Sequence, residues 1–342
     1  MVFTPSDSGD VYMGVTGWSN LVPWVWVKAN EVIPGKIAID MPNYLTRRVS
    51  VIPPSKRDSG RIPLHHAGMT LSLVRICIKN ALLPVLVYDG PPERMKRSPK
   101  PELILTAQSL YKQFKETQDP FDEEIADPLR KSPSLRMYFA IEHTRELARV
   151  LGVPAISAPS EAEMFSAALC RDGLVNTVVS NDSDALLFGS PHVAKQLQLS
   201  KGLIHRATLV DLERAAGLDI ERLRDLAMIC GCDFHKKGVK GIGPRKGIIL
   251  LQRHGGLESL LKARGYGPIE RKEFMDGREA FDEASYISTN GIILDLNPPL
   301  VSRLMGLLTI FMVEERAEET KLQFVKLWKR FGTHQETLEQ WL

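Results

Sequence analysis

The sequence is poor in the features that mark secreted and membrane proteins. Its four cysteines, scattered over 342 residues, are too few for a disulfide framework, so we expect reduced, mostly buried thiols. Apolar stretches such as LVPWVWV at 21–27 are far shorter than the roughly 20 residues that span a bilayer. The first dozen residues lack the basic and apolar segments of a secretory signal. These absences predict a soluble protein of the cytoplasm or the nucleus.

The overall charge is also small, because 44 Lys and Arg against 41 Asp and Glu give a net charge of +3. Composition alone therefore does not indicate nucleic-acid binding, and the local distribution of charge has to decide it. Apolar residues at 44% and charged residues at 25% are close to the globular average, and the length suffices for a sizeable core. Cys230 and Cys232 have no second Cys or His pair at zinc spacing, which disfavours a zinc site.

Short β-rich apolar runs alternate with segments of helical period. The predicted strands are KIAID at 36–40, PVLVYD at 84–89, VPAIS at 153–157 and LVNTVVSND at 174–182. The predicted helices include 71–82, 135–152 and 160–173. This alternation predicts an α/β fold with a mostly parallel central sheet and helices on both faces. Ligands of such sheets bind at the carboxyl ends of the strands.

Acidic residues follow these predicted strands. The set comprises Asp40, Asp89, Glu161, Glu163, Asp182 and Asp184. A single strand-end aspartate is commonly a turn or cap residue, and Ser160 with Glu163 also fits a capping box. Four strand ends that converge on one edge are harder to explain in that way, because carboxylates held together repel unless a cation lies among them.

The chemistry of this cluster favours a hard divalent cation. Oxygen ligands without histidine or cysteine suit Mg²⁺ or Mn²⁺ rather than zinc. Two such ions about 4 Å apart activate a water and stabilise the leaving oxygen of a phosphodiester. We therefore predict a Mg²⁺-dependent nuclease with two ions, in which Mn²⁺ can substitute.

Basic residues cluster in two places. Arg94, Lys96, Arg97 and Lys100 follow the Asp89 strand and can reach over the carboxylate edge, although a solvated loop is the alternative. The segment 235–251 reads HKKGVKGIGPRKGIILL, a glycine turn flanked by cations and followed by an apolar helix. Its backbone amides at the helix start can bind a phosphate. This pattern predicts a helix-hairpin-helix that reads the DNA backbone, with contacts from Lys240, Gly241, Gly243, Arg245 and Lys246.

The order of these motifs resembles the structure-specific 5′-nucleases, and most closely the flap endonucleases. The matching blocks are MGVTGW at 13–18, KIAID, PVLVYDGPPERMK, APSEAEMFSAAL, VVSNDSDALLFGSP, LRDLAMICGCDF and VKGIGPRKG, spread over about residues 13–255. The resemblance implies that Asp40, Asp89, Glu161 and Glu163 hold one metal. Asp182, Asp184 and a seventh carboxylate, Asp233, hold the other. The helix-hairpin-helix would bind duplex DNA with help from a K⁺ ion.

The same resemblance assigns further roles. Lys96 matches the phosphate-contacting lysine of the family, and Arg97 or Lys100 would replace a second cation, because Leu103 occupies its place. Tyr44 would stack on the unpaired base. Residues 98–133 would form a helical gateway for a single-stranded 5′ end, with the acidic segment at 119–128 either facing solvent or staying disordered without substrate. Residues 1–12 precede the family's start at Met13, so either this extension folds away from the active site or Met13 is the true start. Residues 256–332 are expected to form further helices on the core.

The chain ends with QETLEQWL, which looks like a sliding-clamp-binding peptide of the PCNA-ligand type at 335–342. Gln335, Leu338, Trp341 and Leu342 supply its pattern, a one-turn helix that offers an apolar plug to a pocket. Ending on this motif looks more archaeal than eukaryotic, so we expect the protein in the cytoplasm near the nucleoid, or in the nucleus if the source is eukaryotic. We expect a monomer.

The leading hypothesis is a flap endonuclease and 5′–3′ exonuclease of DNA replication and repair, acting on branched DNA with a 5′ flap. One alternative is a sibling 5′-nuclease acting on bubbles, gaps or four-way junctions. Another is a non-catalytic scaffold that binds DNA and the clamp, which retention of seven mutually repelling acids disfavours. An RNA nuclease is disfavoured by the duplex-reading hairpin. The histidines His65 and His66 are expected at the surface.

Overall fold

The computed structural model describes residues 15–31, 35–46, 49, 61–91 and 101–339. The extension at 1–12, Met13 and the basic segment with Lys96, Arg97 and Lys100 lie outside these residues. So do Trp341 and Leu342, and the side chains of Gln335 and Leu338 are not described either. None of the helices in the described ranges is long and apolar enough to cross a membrane.

Seven strands form one sheet in the order β1-β7-β6-β5-β2-β3-β4. The strands are β1 (Val25–Lys28), β2 (Gly35–Asp40), β3 (Leu82–Tyr88), β4 (Ala155–Ser157), β5 (Thr177–Val179), β6 (His192–Gln198) and β7 (Leu203–Thr208). The five strands from β6 to β4 pair in parallel, whereas β7 pairs antiparallel with both β6 and β1. The predicted mostly parallel sheet is confirmed.

Helices surround this sheet. They are α1 (Met41–Leu45), α2 (His65–Lys79), α3 (Pro101–Thr117), α4 (Glu123–Lys131), α5 (Pro133–Leu151), α6 (Ala162–Arg171), α7 (Asp184–Leu187), α8 (Leu209–Ala216), α9 (Ile220–Cys230), α10 (Pro244–His254), α11 (Leu257–Ala263), α12 (Pro268–Glu283), α13 (Val301–Phe311) and α14 (Glu314–Glu339).

Alternate residues of the central strands serve two different cores. On β2, Ala38 packs with α6, α9 and α12 on one face, whereas Ile37 and Ile39 pack with α1, α2 and α5 on the other. Because successive strand residues point to opposite faces, each strand contributes to both cores, which explains why these runs are apolar throughout. Helices therefore cover both faces of the sheet, as predicted.

The predicted gateway region forms α3 and α4, which pack on α5 around a third apolar cluster. Ala107, Phe114, Ile125 and Phe139 belong to this cluster. The acidic side of α4 faces solvent, because Glu123 and Glu124 are exposed while Ile125 is buried. Passage of DNA between these helices stays a prediction.

The ends of α5 show how the sequence sets helix boundaries. The hydroxyl of Ser132 accepts a hydrogen bond from the backbone N–H of Leu135 at 3.2 Å, and Pro133 occupies the first turn. The helix ends at Gly152, whose φ of 75° is the left-handed conformation that a glycine adopts without strain.

Two local expectations are wrong. Helix α2 begins at His65 rather than at 71, because His66, Ala67 and Thr70 turn inward and extend its buried face. His66 is therefore not at the surface: it is 1% exposed, and its Nε2 lies 2.9 Å from Nδ1 of His143 on α5. A ring nitrogen that meets a partner inside the core allows a polar side chain to be buried there.

Candidate active site

The predicted carboxylates gather at the point where the winding of the sheet reverses. From β2 the chain adds β3 and β4 on one side, and then returns to add β5 and β6 on the other. Where the connections that follow two neighbouring parallel strands run to opposite sides, a crevice opens beyond the carboxyl ends of those strands. This crevice is where α/β proteins bind ligands. Asp40 ends β2, and Asp182 follows β5 across this crevice.

Asp40 is fixed by both of these strands. Its Oδ1 caps α1 by accepting the backbone N–H of Asn43 at 3.1 Å, and its Oδ2 accepts the hydroxyl of Ser180 at 3.3 Å. The same Ser180 oxygen accepts the N–H of Asp182 at 3.2 Å, which links the two aspartates through one side chain. Asn43 also accepts the backbone N–H of Asn181 at 3.1 Å. Ser180 and Asn43 therefore tie the segments that follow β2 and β5 to each other next to Asp40 and Asp182.

Asp89 and Glu161 are brought together at the neighbouring strand ends. Oδ1 of Asp89 accepts the N–H of Ala162 at 2.9 Å, and the N–H of Gly90 donates to the carbonyl of Ser160 at 2.6 Å. A Cβ on Gly90 would lie 2.2 Å from the carbonyl oxygen of Ala158, so no larger residue fits this approach. Glycine at this position therefore sets the spacing between the Asp89 and Glu161 loops.

Glu163 connects the first set of acids to the second. The alternative explanation of Glu163 as part of a capping box is wrong, because the N-cap of α6 is Glu161, without a side-chain bond, rather than Ser160. Oε1 of Glu163 instead accepts the N–H of Ala185 at 3.0 Å, and the neighbouring N–H of Asp184 donates to Asp182 at 3.2 Å. Glu163, in the first turn of α6, thus accepts a hydrogen bond from the segment across the crevice instead of capping its own helix.

Electrostatics among these acids supports a cation site. The pKa of Asp40 is raised to about 7, mainly by burial and in part by the negative charges of Asp89 and Asp182, against hydrogen bonds from Asn43 and Ser180 that lower it. A divalent cation would relieve both the burial cost and the repulsion, and an all-oxygen donor set suits Mg²⁺. Among the described residues, no three acid, histidine or cysteine side chains form a ready-made metal cage. The fit to a metal therefore rests on charge and donor chemistry, not on a closed cage.

Asp233 lies in the tight turn that follows α9, between Cys232 and His235, whose backbones pair at 3.1 Å. The turn is also tied to the first described residues, since the N–H of Thr16 donates to the carbonyl of Gly231 at 2.9 Å. Thr16, in the block that resembles the family's start, therefore bonds to the backbone two residues before Asp233. Direct contact between Asp233 and the other acids stays a prediction.

The predicted DNA-binding turn connects α9 and α10. Lys240, Arg245 and Lys246 are exposed along it, and Gly241 has a φ of 74° that favours glycine. Gly243 is the N-cap of α10, with open space around its Cα. Helix α10 approaches α9 closely through Gly247, whose Cβ would meet Leu226 at 2.5 Å. The arrangement presents cations and backbone amides outward on two tightly packed helices, which suits a phosphate backbone.

Tyr44 lies on α1, half-buried, and its hydroxyl donates to the carbonyl of Met69 at 3.4 Å. It lines a cavity of about 910 Å³ together with Asn43, Ser180 and Lys195. The aromatic ring therefore stands next to the residues that fix Asp40, where a stacking role is sterically reasonable.

Several positioning residues were missed from the sequence. Asn43 had a usable signal, because an aspartate three residues earlier, followed by a proline, marks a helix start. Arg145 had none: it reaches from α5 to donate to the carbonyl of Asp89 at 3.2 Å and to the hydroxyl of Ser157 at 2.5 Å. Its guanidinium also lies 4.6 Å from the centre of the Tyr88 ring. This side chain holds the ends of β3 and β4 together.

Comparison with known proteins agrees with this geometry. The XPG I-region family model matches residues 152–233, which contain Glu161, Glu163, Asp182, Asp184 and Asp233. Flap endonuclease 1 of Micromonas commoda is 30% identical over 275 residues, covering 77% of this chain and 71% of the relative. Flap endonuclease 1 of Ostreococcus tauri is 29% identical over 274 residues, covering 78% and 69%. The solved flap endonuclease-1 of Methanococcus jannaschii matches 93% of this chain and 99% of its own, with a TM-score of 0.69 and 22% identity, which shows a shared fold.

Proposed function

This chain belongs to the flap endonuclease 1 family, and from that premise we propose that it cuts DNA where duplex meets a 5′ single-stranded flap, as a Mg²⁺-dependent nuclease of replication and repair. The observation that carries the proposal is the set of strand-end carboxylates that hydrogen bonds hold around the switch point between β2 and β5. Such a protein would work wherever chromosomal DNA is kept, in a nucleoid or a nucleus.

The carboxylates divide into two proposed metal sets. Asp40, Asp89, Glu161 and Glu163 would hold one ion, and Asp182, Asp184 and Asp233 the other. Bound Mg²⁺, or Mn²⁺ in its place, would lower the pKa of a water and neutralise charge on the phosphodiester. Ser180, Asn43 and Arg145 keep these acids in place through the hydrogen bonds described above. Lys96, Arg97 and Lys100 would draw the scissile phosphate toward the acids.

The exposed hairpin between α9 and α10 would bind the duplex arm. Lys240, Arg245 and Lys246 face solvent beside the amides at the start of α10, and a K⁺ ion would fit a backbone-lined turn of this kind. Tyr44, at the cavity beside Asn43, would stack on the unpaired base. We infer the same division of the chain as from the sequence, with a nuclease core to 255, a gateway within 98–133 and helices from 256.

The test is cleavage of a double-flap DNA labelled at each end, in Mg²⁺. We expect a cut at the flap base in the wild type and its loss in Asp184→Ala, because Asp184 is 1% exposed at the centre of the site. Asp276→Ala, which removes an exposed aspartate on α12, is the matched control and should cut normally.

Other substrates separate the remaining functions. Faster cleavage of bubbles, gaps or four-way junctions than of flaps would favour a sibling 5′-nuclease. Binding of the flap without cleavage, in both Mg²⁺ and Mn²⁺, would favour the non-catalytic scaffold.

We also propose that residues 335–342 bind a sliding clamp of the PCNA type. Trp341→Ala with Leu342→Ala should reduce the ratio of flap cleavage with and without the clamp toward one. An unchanged ratio would mean that Gln335, Leu338 and the two substituted residues do not form the clamp contact.

A further inference from the structure

An aromatic pair stands at the outer edge of the sheet, several strands away from the carboxylates. The Trp26 ring on β1 stacks on the His205 ring of β7, with 4.5 Å between centroids and 9° between planes. Trp26 is 43% exposed, and its neighbour Trp24 lies 5.9 Å from the same histidine. Stacking on the histidine holds the tryptophan in a fixed orientation with one ring face toward solvent.

Cations adjoin this pair. The ammonium of Lys195 lies 4.5 Å from the centre of the Trp24 ring, and Lys28 is exposed at the end of β1. Lys195 occupies a β-bulge between Ala194 and Gln196, a feature that redirects a side chain relative to the regular sheet. It also lines the cavity that begins beside Ser180, next to Asp40. Lys195 and Lys28 therefore form a short positive stripe beside the aromatic pair, and the cavity lined by Lys195 extends from it toward Ser180.

The sheet register places the pair level with the catalytic edge. Ile39, Val179, Ala194, Arg206 and Val25 form one row across five strands. One residue further along their strands, Asp40, His205 and Trp26 form the next row, and period-2 alternation turns them to the same face. Inter-strand spacings of about 4.8 Å, three from β2 to β7 and four from β2 to β1, put His205 about 14 Å and Trp26 about 19 Å from Asp40.

We propose that the Trp26–His205 pair is a stacking platform for an unpaired base of a single-stranded DNA arm that leaves the active site. The inference rests on the proposed function, since it presumes a branched DNA substrate. Every base has a π-face, so an aromatic ring flanked by cations binds single strands without reading their sequence. The backbone phosphates of such an arm would follow the stripe that Lys195 and Lys28 provide.

The surroundings favour a nucleic acid over a protein partner. Apart from the rings, this face of β6, β7 and β1 presents Gln196, Gln198 and Lys28, which are polar or charged, and one half-buried apolar residue, Leu203. A protein interface would need a wider apolar core around the tryptophan than these residues offer. A planar ring beside cations is complementary to a base and its phosphate.

The experiment measures DNA binding in EDTA by fluorescence anisotropy, so that cleavage plays no part. Three DNAs share one junction: one without an unpaired arm, one with an arm of about eight nucleotides, and one whose arm is abasic. Trp26→Ala should weaken binding of the base-containing arm about tenfold and leave the other two unchanged. Trp26→Phe should keep most of the affinity, and His205→Ala should lose part of it. Tyr286→Ala is the matched control, because Tyr286 is 85% exposed elsewhere.

The three possible results distinguish the stacking platform from its absence and from a failure of the proposed function. Unchanged binding of the DNA without an arm shows that Trp26→Ala is folded, so a loss limited to the base-containing arm supports the platform. Equal affinity of wild type and Trp26→Ala for all three DNAs overturns it and leaves the tryptophan to a protein partner. If the wild type binds no branched DNA at all, the proposed function fails, and the platform fails with it.

Discussion

Acid should destabilise this protein through a buried histidine pair. His66 and His143 join α2 to α5 through ring nitrogens 2.9 Å apart, and both side chains are 1% exposed. Burial lowers the pKa of His143 from its ordinary 6.5 to about 4 and lowers that of His66 well below 6.5. The neutral pair shares one N–H between two nitrogens, and a further proton on either ring would place a positive charge in an apolar core.

The direction and size of the effect follow from linkage. As the pH falls below 6.5, unfolded histidines take up protons before folded ones, so the free energy of unfolding decreases with falling pH. The loss begins near pH 6.5, continues toward pH 4 and levels off below that value. For His143 alone, a change from 6.5 to about 4 corresponds to about 3 kcal/mol in all, of which about 2 kcal/mol falls between pH 7 and pH 5.

Urea unfolding at a series of pH values from 7 to 5 measures this loss. Many carboxylates also titrate, so the informative quantity is the difference between variants. His143→Gln keeps a hydrogen-bonding group but cannot titrate, and should lose about 2 kcal/mol less over this range. His65→Gln removes the adjacent half-buried histidine of the same helix and should follow the wild type. The reasoning is refuted if His143→Gln and the wild type lose the same free energy.

Three further changes test the packing around the site. Gly90→Ala should reduce flap cleavage at least tenfold, because its Cβ would lie 2.2 Å from the Ala158 carbonyl oxygen and force apart the Asp89 and Glu161 loops. A normal cleavage rate would mean that the loops shift without harm to the site. Arg145→Lys should slow cleavage more than it weakens DNA binding, because a single ammonium cannot hold both the Asp89 carbonyl and Ser157. Equal losses of cleavage and of DNA binding would contradict a positioning role. Arg278→Ala should lower the free energy of urea unfolding by about 3 kcal/mol, because it leaves the half-buried Asp225, 3.0 Å away, without its ion pair. The control Arg222→Ala, which removes an exposed ion pair, should lower it by under about 1 kcal/mol.

The sequence predicted those parts of the site that follow from strand direction. Asp40 and Asp89 end buried apolar runs, and parallel strands must bring such ends to one edge, so their meeting required no knowledge of side-chain contacts. The correct placement of the predicted helices on both faces followed for the same reason. Contacts across the crevice were not predictable in this way. The hydrogen bond from Ser180 to Asp40, through which Asp182 is linked, joins residues 140 positions apart and depends on which strands become neighbours.

The misses share a physical cause, which is that local patterns yield to tertiary contacts. Ser160 and Glu163 have the spacing of a capping box, but Ala185 offers Glu163 a better N–H across the crevice. His66 is polar, yet His143 satisfies it inside the core. Strand β1 was not predicted because it has only four residues and is mostly exposed, so neither alternation nor a buried run marks it.

The order in which the sheet is completed differs from the order in which the chain is made. Strand β1, among the first residues described, pairs with β7, and Thr16 bonds to Gly231. In each of these contacts the two partners lie about two hundred residues apart along the chain. During synthesis the N-terminal strand would wait, with an unpaired edge and exposed tryptophans, until β7 and the turn after α9 emerge. Truncation before about residue 208 should therefore leave an aggregation-prone fragment without a closed sheet, and nuclease competence would arise only late in folding.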